Sequence, residues 1–440
     1  LMSLSAINWV GSIACWLLSL VALFRLGRLF RIPDWSITVA LALWMNYRQS
    51  IVSYEFIFGS FEAKSVAYPF LLFALEGFLK GKSALPAVLL GLCFSFHPAV
   101  GMWGVLAIAG TLCVLRWPWR RLLQVGALFT LFALPGLIPL VTGIFSAAPA
   151  DPREWRFLAR VLFPMHMDPL SWPKRDILLL YAMLLFNWLD VRAQAQPLAP
   201  LRFLLVFQQM LALFFTAGIV CRVLDLYGFL RYMPFRLFPM FVMLFFFFHV
   251  AHAFYHQKVY HQKIFHRKAD RTHAALGLVG LLTLMSFGDP VGRLIDQGKI
   301  SISYWTRPEE DVQVAFRWVA AHTPLDALVI VPPWRKDSHY LTERGQMATW
   351  EIYAHDRPIE WRVRLEALVG HPWDEVAAAS WTGRFDALQQ GYERLTEADI
   401  RGVVARYGGD YLVSQIAYPF PVLFDTGTYK VYALKQGASR

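Results

Sequence analysis

The stretch RQSIVSYEFIFGSFEAK, residues 48–64, interrupts a hydrophobic part of the chain with charged side chains. Apolar segments lie on both sides of it, yet it contains Glu55, Glu62 and Lys64. A carboxylate at a membrane boundary is energetically costly unless it is paired, hydrated or used in function. We therefore interpret this stretch as a functional loop and the segments around it as a membrane scaffold.

The composition of the whole chain supports that interpretation. Of its 440 residues, 57% are hydrophobic and only 17% are charged, and the mean hydropathy is +0.41. Such a chain is too apolar for a soluble protein of this length and is typical of a polytopic membrane protein. The net charge of +11 comes from residues 1–288, where it indicates topology and anionic lipid rather than nucleic acid.

Hydropathy and charge together predict an α-helical membrane bundle of about nine or ten spans. The apolar segments lie at roughly 7–24, 35–53, 65–79, 84–97, 99–116, 122–145, 176–190, 203–224, 237–255 and 272–287. Every second loop is rich in Lys and Arg, and such loops are usually cytoplasmic. This orientation puts loops 48–64, 146–175 and 225–236 on the outer face of the plasma (inner) membrane. Because the chain would then begin outside, we expect a further segment before Leu1.

The sequence changes character near residue 289, so we divide the chain into a membrane domain, 1–288, and an extracytoplasmic (periplasmic) domain, 289–440. In the second part, 309–322 has helical periodicity, 327–331 and 410–414 have the pattern of short strands, and 421–434 is typical of a hairpin. Thr396 begins a capping-box sequence. This alternation predicts a small α/β domain that serves as a lid or packing module.

Glu62 is the first candidate for chemistry. It precedes an apolar helix in the predicted outer loop, where a carboxylate could act as a general base or bind Mg²⁺ or Mn²⁺. An alternative is a structural acid at the helix N-terminus, paired with Lys64. Glu55 is the second candidate acid, and Arg48 and Lys64 of the same loop are candidate substrate-binding residues.

Two arginines and two histidines in other outer loops are candidates for substrate binding. Arg231 and Arg236 lie between hydrophobic segments, where an arginine could bind a phosphate or anchor the chain at the interface. His97 lies at a predicted outer turn, where it could line a polar cavity or simply form the turn. His166 lies in the Pro-rich loop 163–172, which could bind substrate or be an ordinary surface loop.

Several motifs resemble an uncharacterised bacterial family of polytopic membrane proteins, which is itself similar to the GT-C glycosyltransferases such as oligosaccharyltransferases and protein mannosyltransferases. The motifs are GSFEAKSVAYPFLLFALEGFLKGK (59–82), GLCFSFHPAVGMWG (91–104), ARVLFPMHMDPLSW (159–172), MPFRLFP (233–239), WVAAHTPLDALVIVPP (318–333) and RYGGDYLVSQ (406–415). The resemblance implies a key acid in the first outer loop, which would lie before Leu1, and a second acid that Glu62 matches. Where the family often has paired histidines, this chain has Met165 and His166.

We therefore expect a membrane glycosyltransferase that moves a sugar from a polyprenyl-phosphate carrier to an acceptor at the outer face. Glu62 would orient the reacting group or a Mg²⁺ or Mn²⁺ ion, and Arg236 would neutralise the departing phosphate. Arg160 and His166 would shape the acceptor side. A transporter of a lipid-linked glycan is a second hypothesis, although it would need ionisable residues at mid-membrane and repeated halves. A non-catalytic scaffold or sensing protein is the third.

Overall fold

A computed structural model describes residues 4–30, 32–46, 49–52, 55–59, 61–146, 152–193, 199–245, 309–335, 337–350, 358–372 and 381–435. The chain divides into two compact units, Leu1–Lys299 and Ile300–Arg440. The domain boundary that we predict at 288/289, the last predicted apolar segment and Arg48 lie outside the described residues.

The regular secondary structure of the first unit is helical in its described part. Its helices are α1 (Leu4–Leu29), α2 (Asp34–Asn46), α3 (Ala63–Leu79), α4 (Ala84–Phe96), α5 (Pro98–Val114), α6 (Trp119–Ser146), α7 (Pro152–Phe157), α8 (Pro164–Met167), α9 (Lys174–Ala193), α10 (Ala199–Val223), α11 (Tyr227–Leu230) and α12 (Phe238–Phe245). A π-helical turn, Leu158–Leu162, and a 3-10 turn, Pro169–Ser171, flank α8.

Three of these helices are long and apolar enough to cross a membrane. They cover Ala6–Leu29, Trp119–Thr142 and Ala199–Val223. Two shorter apolar helices, Ala84–Phe96 and Pro98–Val114, accompany them. The structure therefore supports a mostly helical protein with three candidate spans, and the larger number of spans stays a prediction.

Close packing in this unit depends on glycines where α4 meets α6. A Cβ atom added at Gly91 of α4 would lie 2.7 Å from the carbonyl oxygen of Phe129, and one added at Gly136 of α6 would lie 2.8 Å from the Cα atom of Ser95. Small residues let helix backbones approach in this way when lipid offers no hydrophobic driving force between helices. The Ser95 hydroxyl also donates a 2.8 Å hydrogen bond to the Phe132 carbonyl oxygen.

The second unit is a mixed α/β structure, as predicted. It contains α13 (Asp311–His322), β1 (Leu328–Ile330), α14 (Ser338–Thr342), β2 (Gly345–Gln346), α15 (Pro358–Val369), α16 (Trp381–Glu393), α17 (Glu397–Tyr407), β3 (Tyr411–Ser414), β4 (Val422–Asp425) and β5 (Lys430–Ala433). The sheet order is β2-β1-β3-β5-β4. Strand β1 is parallel to β2 and β3, whereas the β4–β5 hairpin joins β3 in antiparallel fashion.

Local sequence signals in the second unit are confirmed. Thr396 and Asp399 form the capping box at the start of α17, and Gly408, with φ of +83°, follows its last turn. The predicted strands and hairpin are present as β1, β3 and β4–β5. Val329 of β1 and Val413 of β3 are fully buried, and they belong to the core that packs beneath α13.

Candidate functional site

The loop between α2 and α3 is shaped by one buried amide side chain. The side-chain oxygen of Gln49 accepts hydrogen bonds from the backbone N–H groups of Ile57 and Phe58, at 2.8 and 2.9 Å. The side-chain nitrogen of Gln49 donates to the Phe58 carbonyl oxygen at 2.8 Å. The backbone carbonyl oxygen of Gln49 accepts a hydrogen bond from the Trp44 indole at 2.6 Å. Because Gln49 satisfies backbone groups on the far side of the loop, it holds the intervening segment that carries Glu55.

Glu55 lies at the centre of a cluster of cationic side chains. Its side chain is only 2% exposed, and its Oε1 atom forms an ion pair with the Arg236 guanidinium. The same oxygen lies 3.1 Å from His166 Nδ1, and Oε2 lies 3.7 Å from Lys64 Nζ. The structure thus brings together four of the predicted residues, which come from three separate parts of the chain.

These neighbours determine the charge of Glu55. Burial alone would raise the pKa of the carboxyl group, because desolvation disfavours the charged form. The positive charges of Arg236, His166 and Lys64 oppose this and lower the pKa of Glu55 to about 2. The Glu55 carboxylate is therefore ionised at neutral pH and is surrounded by basic side chains.

The N-terminus of α3 places Lys64 between the two predicted acids. Lys64 is buried, its Nζ atom lies 3.2 Å from Glu62 Oε2, and it also lies 3.6 Å from the centroid of the Phe56 ring. Glu62 is the N-cap residue of α3, makes no side-chain cap hydrogen bond and is 45% exposed. Glu55, rather than Glu62, is thus the enclosed acid of the pair.

Arg236 is fixed from the α3 side by a tyrosine that the sequence reasoning missed. The buried Tyr68 hydroxyl donates a 2.7 Å hydrogen bond to the Arg236 carbonyl oxygen. Tyr68 follows Lys64 by one helical turn, so both side chains leave the same face of α3. That spacing is the only sequence signal that could have indicated Tyr68.

Some buried polar atoms of the cluster lack a hydrogen-bond partner. Glu55 Oε2 and Arg236 Nε are buried, and neither has a hydrogen-bond partner. Such atoms are unusual in folded proteins, because an unsatisfied buried polar group costs roughly 1–3 kcal/mol. The cluster therefore offers an acceptor on Glu55 and a donor on Arg236 to a polar ligand.

An apolar groove borders the segment that carries Arg236. It lies between α5, α10 and residues 234–241. Its lining includes Trp103, Leu211, Phe214, Pro234, Phe238 and Phe241. The Trp103 indole donates a 2.6 Å hydrogen bond to the Tyr232 carbonyl oxygen, which ties α5 to this segment.

A second buried ion pair lies behind His166, and the sequence reasoning missed its arginine. Asp168, two residues after His166, accepts two hydrogen bonds from Arg222, from Nε at 2.7 Å and from Nη2 at 3.2 Å. Both side chains are about nine-tenths buried. Arg222 is the basic residue in the last turn of α10. Because basic residues are common at helix C-termini, its position in the sequence does not indicate a buried partner.

Of the three other predicted residues that the structure describes, His97 lies close to the cluster, where burial and then the charge of Arg236 lower its pKa to about 4. The Nδ1 atom of His97 accepts a 3.2 Å hydrogen bond from the Val100 N–H and caps α5, which supports the turn alternative. The Arg231 guanidinium lies over the rings of Tyr232 and Trp155, at 4.7 and 5.3 Å from their centroids. Arg160 is exposed on the π-helical turn.

The described residues do not fit the predicted Mg²⁺ or Mn²⁺ ion. Among them, no group of three or more His, Cys, Asp or Glu side chains is close enough to hold a metal. Glu62 has the Lys64 ammonium beside it, and Glu55 has cationic neighbours that would repel a divalent ion. The arrangement is better suited to binding an anion.

The fold and the site together define a mostly helical protein with three candidate membrane spans, a small α/β unit and a buried carboxylate held by cationic side chains. A scan against protein-family models gives no match for the chain, and a search of curated proteins gives no significant match either.

Proposed function

We propose that this protein is a membrane glycosyltransferase that moves a sugar from a polyprenyl-phosphate carrier to an acceptor at the outer face of the membrane. The observation that carries the proposal is the Glu55 cluster, in which an ionised acid, an arginine and a lysine share one enclosed site. Membrane transfer chemistry of this kind needs a cationic site for a phosphate and an acid beside it. The further expected spans and the outer location of residues 309–435 belong to this proposal.

Arg236 and Lys64 are the phosphate-binding groups. Arginine binds phosphate through several N–H donors in a fixed plane, and Arg236 Nε has no hydrogen-bond partner. The side chains that line the adjacent groove are apolar and aromatic, as the wall of a site for an isoprenoid chain would be. These cations would stabilise the phosphate as it leaves the sugar with the bonding electrons.

Glu55 is the group that receives the acceptor's proton. In the reaction, the bond between the sugar's anomeric carbon and the phosphate oxygen breaks, and a bond from that carbon to the acceptor atom forms. While Arg236 holds the carboxylate, the pKa of Glu55 is about 2 and the group is a weak base. A carrier phosphate that competes for Arg236 removes part of that stabilisation, so substrate binding makes Glu55 more basic.

The transporter alternative is less well supported by the described residues. Glu76 is an acid inside the predicted apolar segment 65–79; it lies at the far end of α3 from Glu55 and is paired with both Arg25 and Lys80. A paired acid at a helix end is the arrangement expected for a structural anchor.

The test is sugar transfer by the full-length protein in lipid nanodiscs, supplied with radiolabelled polyprenyl-phosphate sugars and a membrane extract. Wild type is compared with Glu55→Gln and Arg236→Ala, and Glu62→Gln serves as the matched exposed acid from the same loop. We expect Glu55→Gln and Arg236→Ala to lose about 100-fold or more in rate, whereas Glu62→Gln stays within a few-fold of wild type. Stable wild-type protein that transfers sugar from no donor would rule out the enzyme and favour a carrier-binding scaffold.

A further inference from the structure

We propose that Arg222 is a positioning residue, which sets the separation of the two outer loops that carry His166 and Arg236. The proposal rests on the function assigned above to the Glu55 cluster. It concerns four residues behind that cluster, Asp168, Arg222, Asp225 and Tyr227, which we name the Arg222 network.

The network joins the two loops through one guanidinium group. On one side, Arg222 makes the paired hydrogen bonds to Asp168, whose Oδ1 atom also accepts from the Leu170 N–H at 3.1 Å. On the other side, Arg222 Nη1 donates to Asp225 Oδ1 at 3.3 Å, and the Tyr227 hydroxyl donates to the same oxygen at 2.8 Å. Three of the five N–H donors of this planar group are thereby used, two toward one loop and one toward the other.

The loops that the network joins are those that hold Glu55. Asp168 follows His166 by two residues, within a segment made compact by the Ser171 hydroxyl, which donates to the Asp168 carbonyl oxygen at 2.7 Å. Asp225 and Tyr227 begin the segment that continues to Arg236. Because His166 and Arg236 both contact Glu55 Oε1, a change in loop separation alters the two contacts together.

Burial makes the Arg222–Asp168 pair costly to break, whereas the Asp225 side chain at the other side of the network is 65% exposed. Arg222 and Asp168 have side chains that are only 10% and 9% exposed. Removing one partner of a buried pair leaves an uncompensated charge, which is more costly than the pair is stabilising. The ring of Trp172 also contacts that of Phe235, with centroids 4.9 Å apart. This aromatic contact keeps the loops attached when the network is lost, so we expect looser positioning rather than unfolding.

The first arm of the test measures loop separation without any ligand. Spin labels are attached at Leu170→Cys and Gly228→Cys in full-length protein whose native cysteines are replaced. Leu170 is exposed, and a Cβ atom added at Gly228 meets no atom within 4 Å. We expect a narrow distance distribution in wild type and a distinctly broader one in Arg222→Gln. Arg25→Gln, which breaks the Arg25–Glu76 pair at the other end of α3, is the matched control and should keep the narrow distribution.

The second arm measures binding of a synthetic polyprenyl phosphate to the same variants in nanodiscs. We expect Arg222→Gln to bind about tenfold more weakly, equivalent to about 1.4 kcal/mol, and Arg25→Gln to bind as wild type does. If Arg222→Gln does not fold, Asp168→Asn and Arg222→Lys are tested in its place, since each keeps part of the hydrogen bonding. The proposal would be overturned if the distance distribution of Arg222→Gln were as narrow as that of Arg25→Gln. It would also be overturned if that distribution broadened while the affinity for polyprenyl phosphate stayed unchanged. If wild type binds no polyprenyl phosphate, the proposed function fails, and the distance arm still decides whether Arg222 fixes the loops.

Discussion

At residue scale, Glu55 and Glu62 show how two acids of one loop can differ in chemical character. The sequence gives them similar neighbours, and both lie close to Lys64. Folding buries Glu55 among residues that are distant in the chain, since its partner Arg236 is 181 positions away. Glu62, in contrast, stays half-exposed at the N-terminus of α3. Sequence reasoning found the cluster members but ranked the acids by local pattern, which carries no information about burial.

The pH dependence of stability provides a test at this scale. The pKa of Glu55 is about 2 in the folded protein, below the ordinary value of 4.5. Its contribution to the free energy of unfolding is therefore complete above about pH 4.5 and is lost as the pH falls towards 2. We expect wild type to lose more thermal stability than Glu55→Gln between pH 5 and pH 3, measured by tryptophan fluorescence in detergent.

Two further comparisons make that prediction specific. At pH 7, Glu55→Gln should unfold more easily than wild type by roughly 3–5 kcal/mol, because buried cations lose their counter-charge. Glu62→Gln keeps all the Glu55 contacts, so its stability should follow the pH profile of wild type. Parallel profiles for wild type and Glu55→Gln would contradict the assigned role of the carboxylate in this cluster.

At element scale, the success of sequence reasoning depends on how local the signal is. The capping box at Thr396 and the β4–β5 hairpin depend on residues within a few positions, and both were predicted. The pairing of β1 with β3 joins residues such as Val329 and Tyr411, and no local pattern reveals that order. The same limit hid the Arg222 network, because Asp168 and Arg222 are 54 positions apart.

The packing of α4 against α6 leads to a prediction at this scale. In Gly91→Ala and Gly136→Ala, the new methyl group meets backbone atoms of the facing helix at 2.7 and 2.8 Å. Because backbone atoms cannot move aside as a flexible side chain can, we expect each change to lower the free energy of unfolding by roughly 1–3 kcal/mol. Thermal unfolding of the purified variants in detergent measures the effect.

Gly126→Ala is the control, since it lies on the same helix as Gly136. A Cβ atom added there meets no atom within 4 Å. Alanine is favoured over glycine within helices by about 1 kcal/mol, so this variant should be as stable as wild type or more stable. If all three substitutions had the same effect, close backbone approach would not be the reason for glycine at Gly91 and Gly136.

At the scale of the whole molecule, composition indicated a protein with membrane-spanning potential, and the alternation of helix and strand patterns after residue 289 indicated a small α/β unit. The three candidate spans and the five-stranded sheet agree with this division. The alternation of basic loops predicts on which side each loop lies, and the Glu55 cluster is built from loops that this rule puts on one side. The residues assigned to one face by charge thus meet in one site, although they come from widely separated parts of the sequence.

The most direct test of the central claim is whether the Glu55 cluster binds the phosphate of a lipid carrier. The full-length protein in nanodiscs is titrated with a polyprenyl phosphate and, separately, with the phosphate-free polyprenol of the same length. We expect wild type to bind the phosphate form at least tenfold more tightly, and Arg236→Gln to lose that difference while its weak binding of the polyprenol persists. Equal affinity of wild type for the two lipids, or a preference that survives in Arg236→Gln, would contradict the assignment of this cluster as the phosphate site.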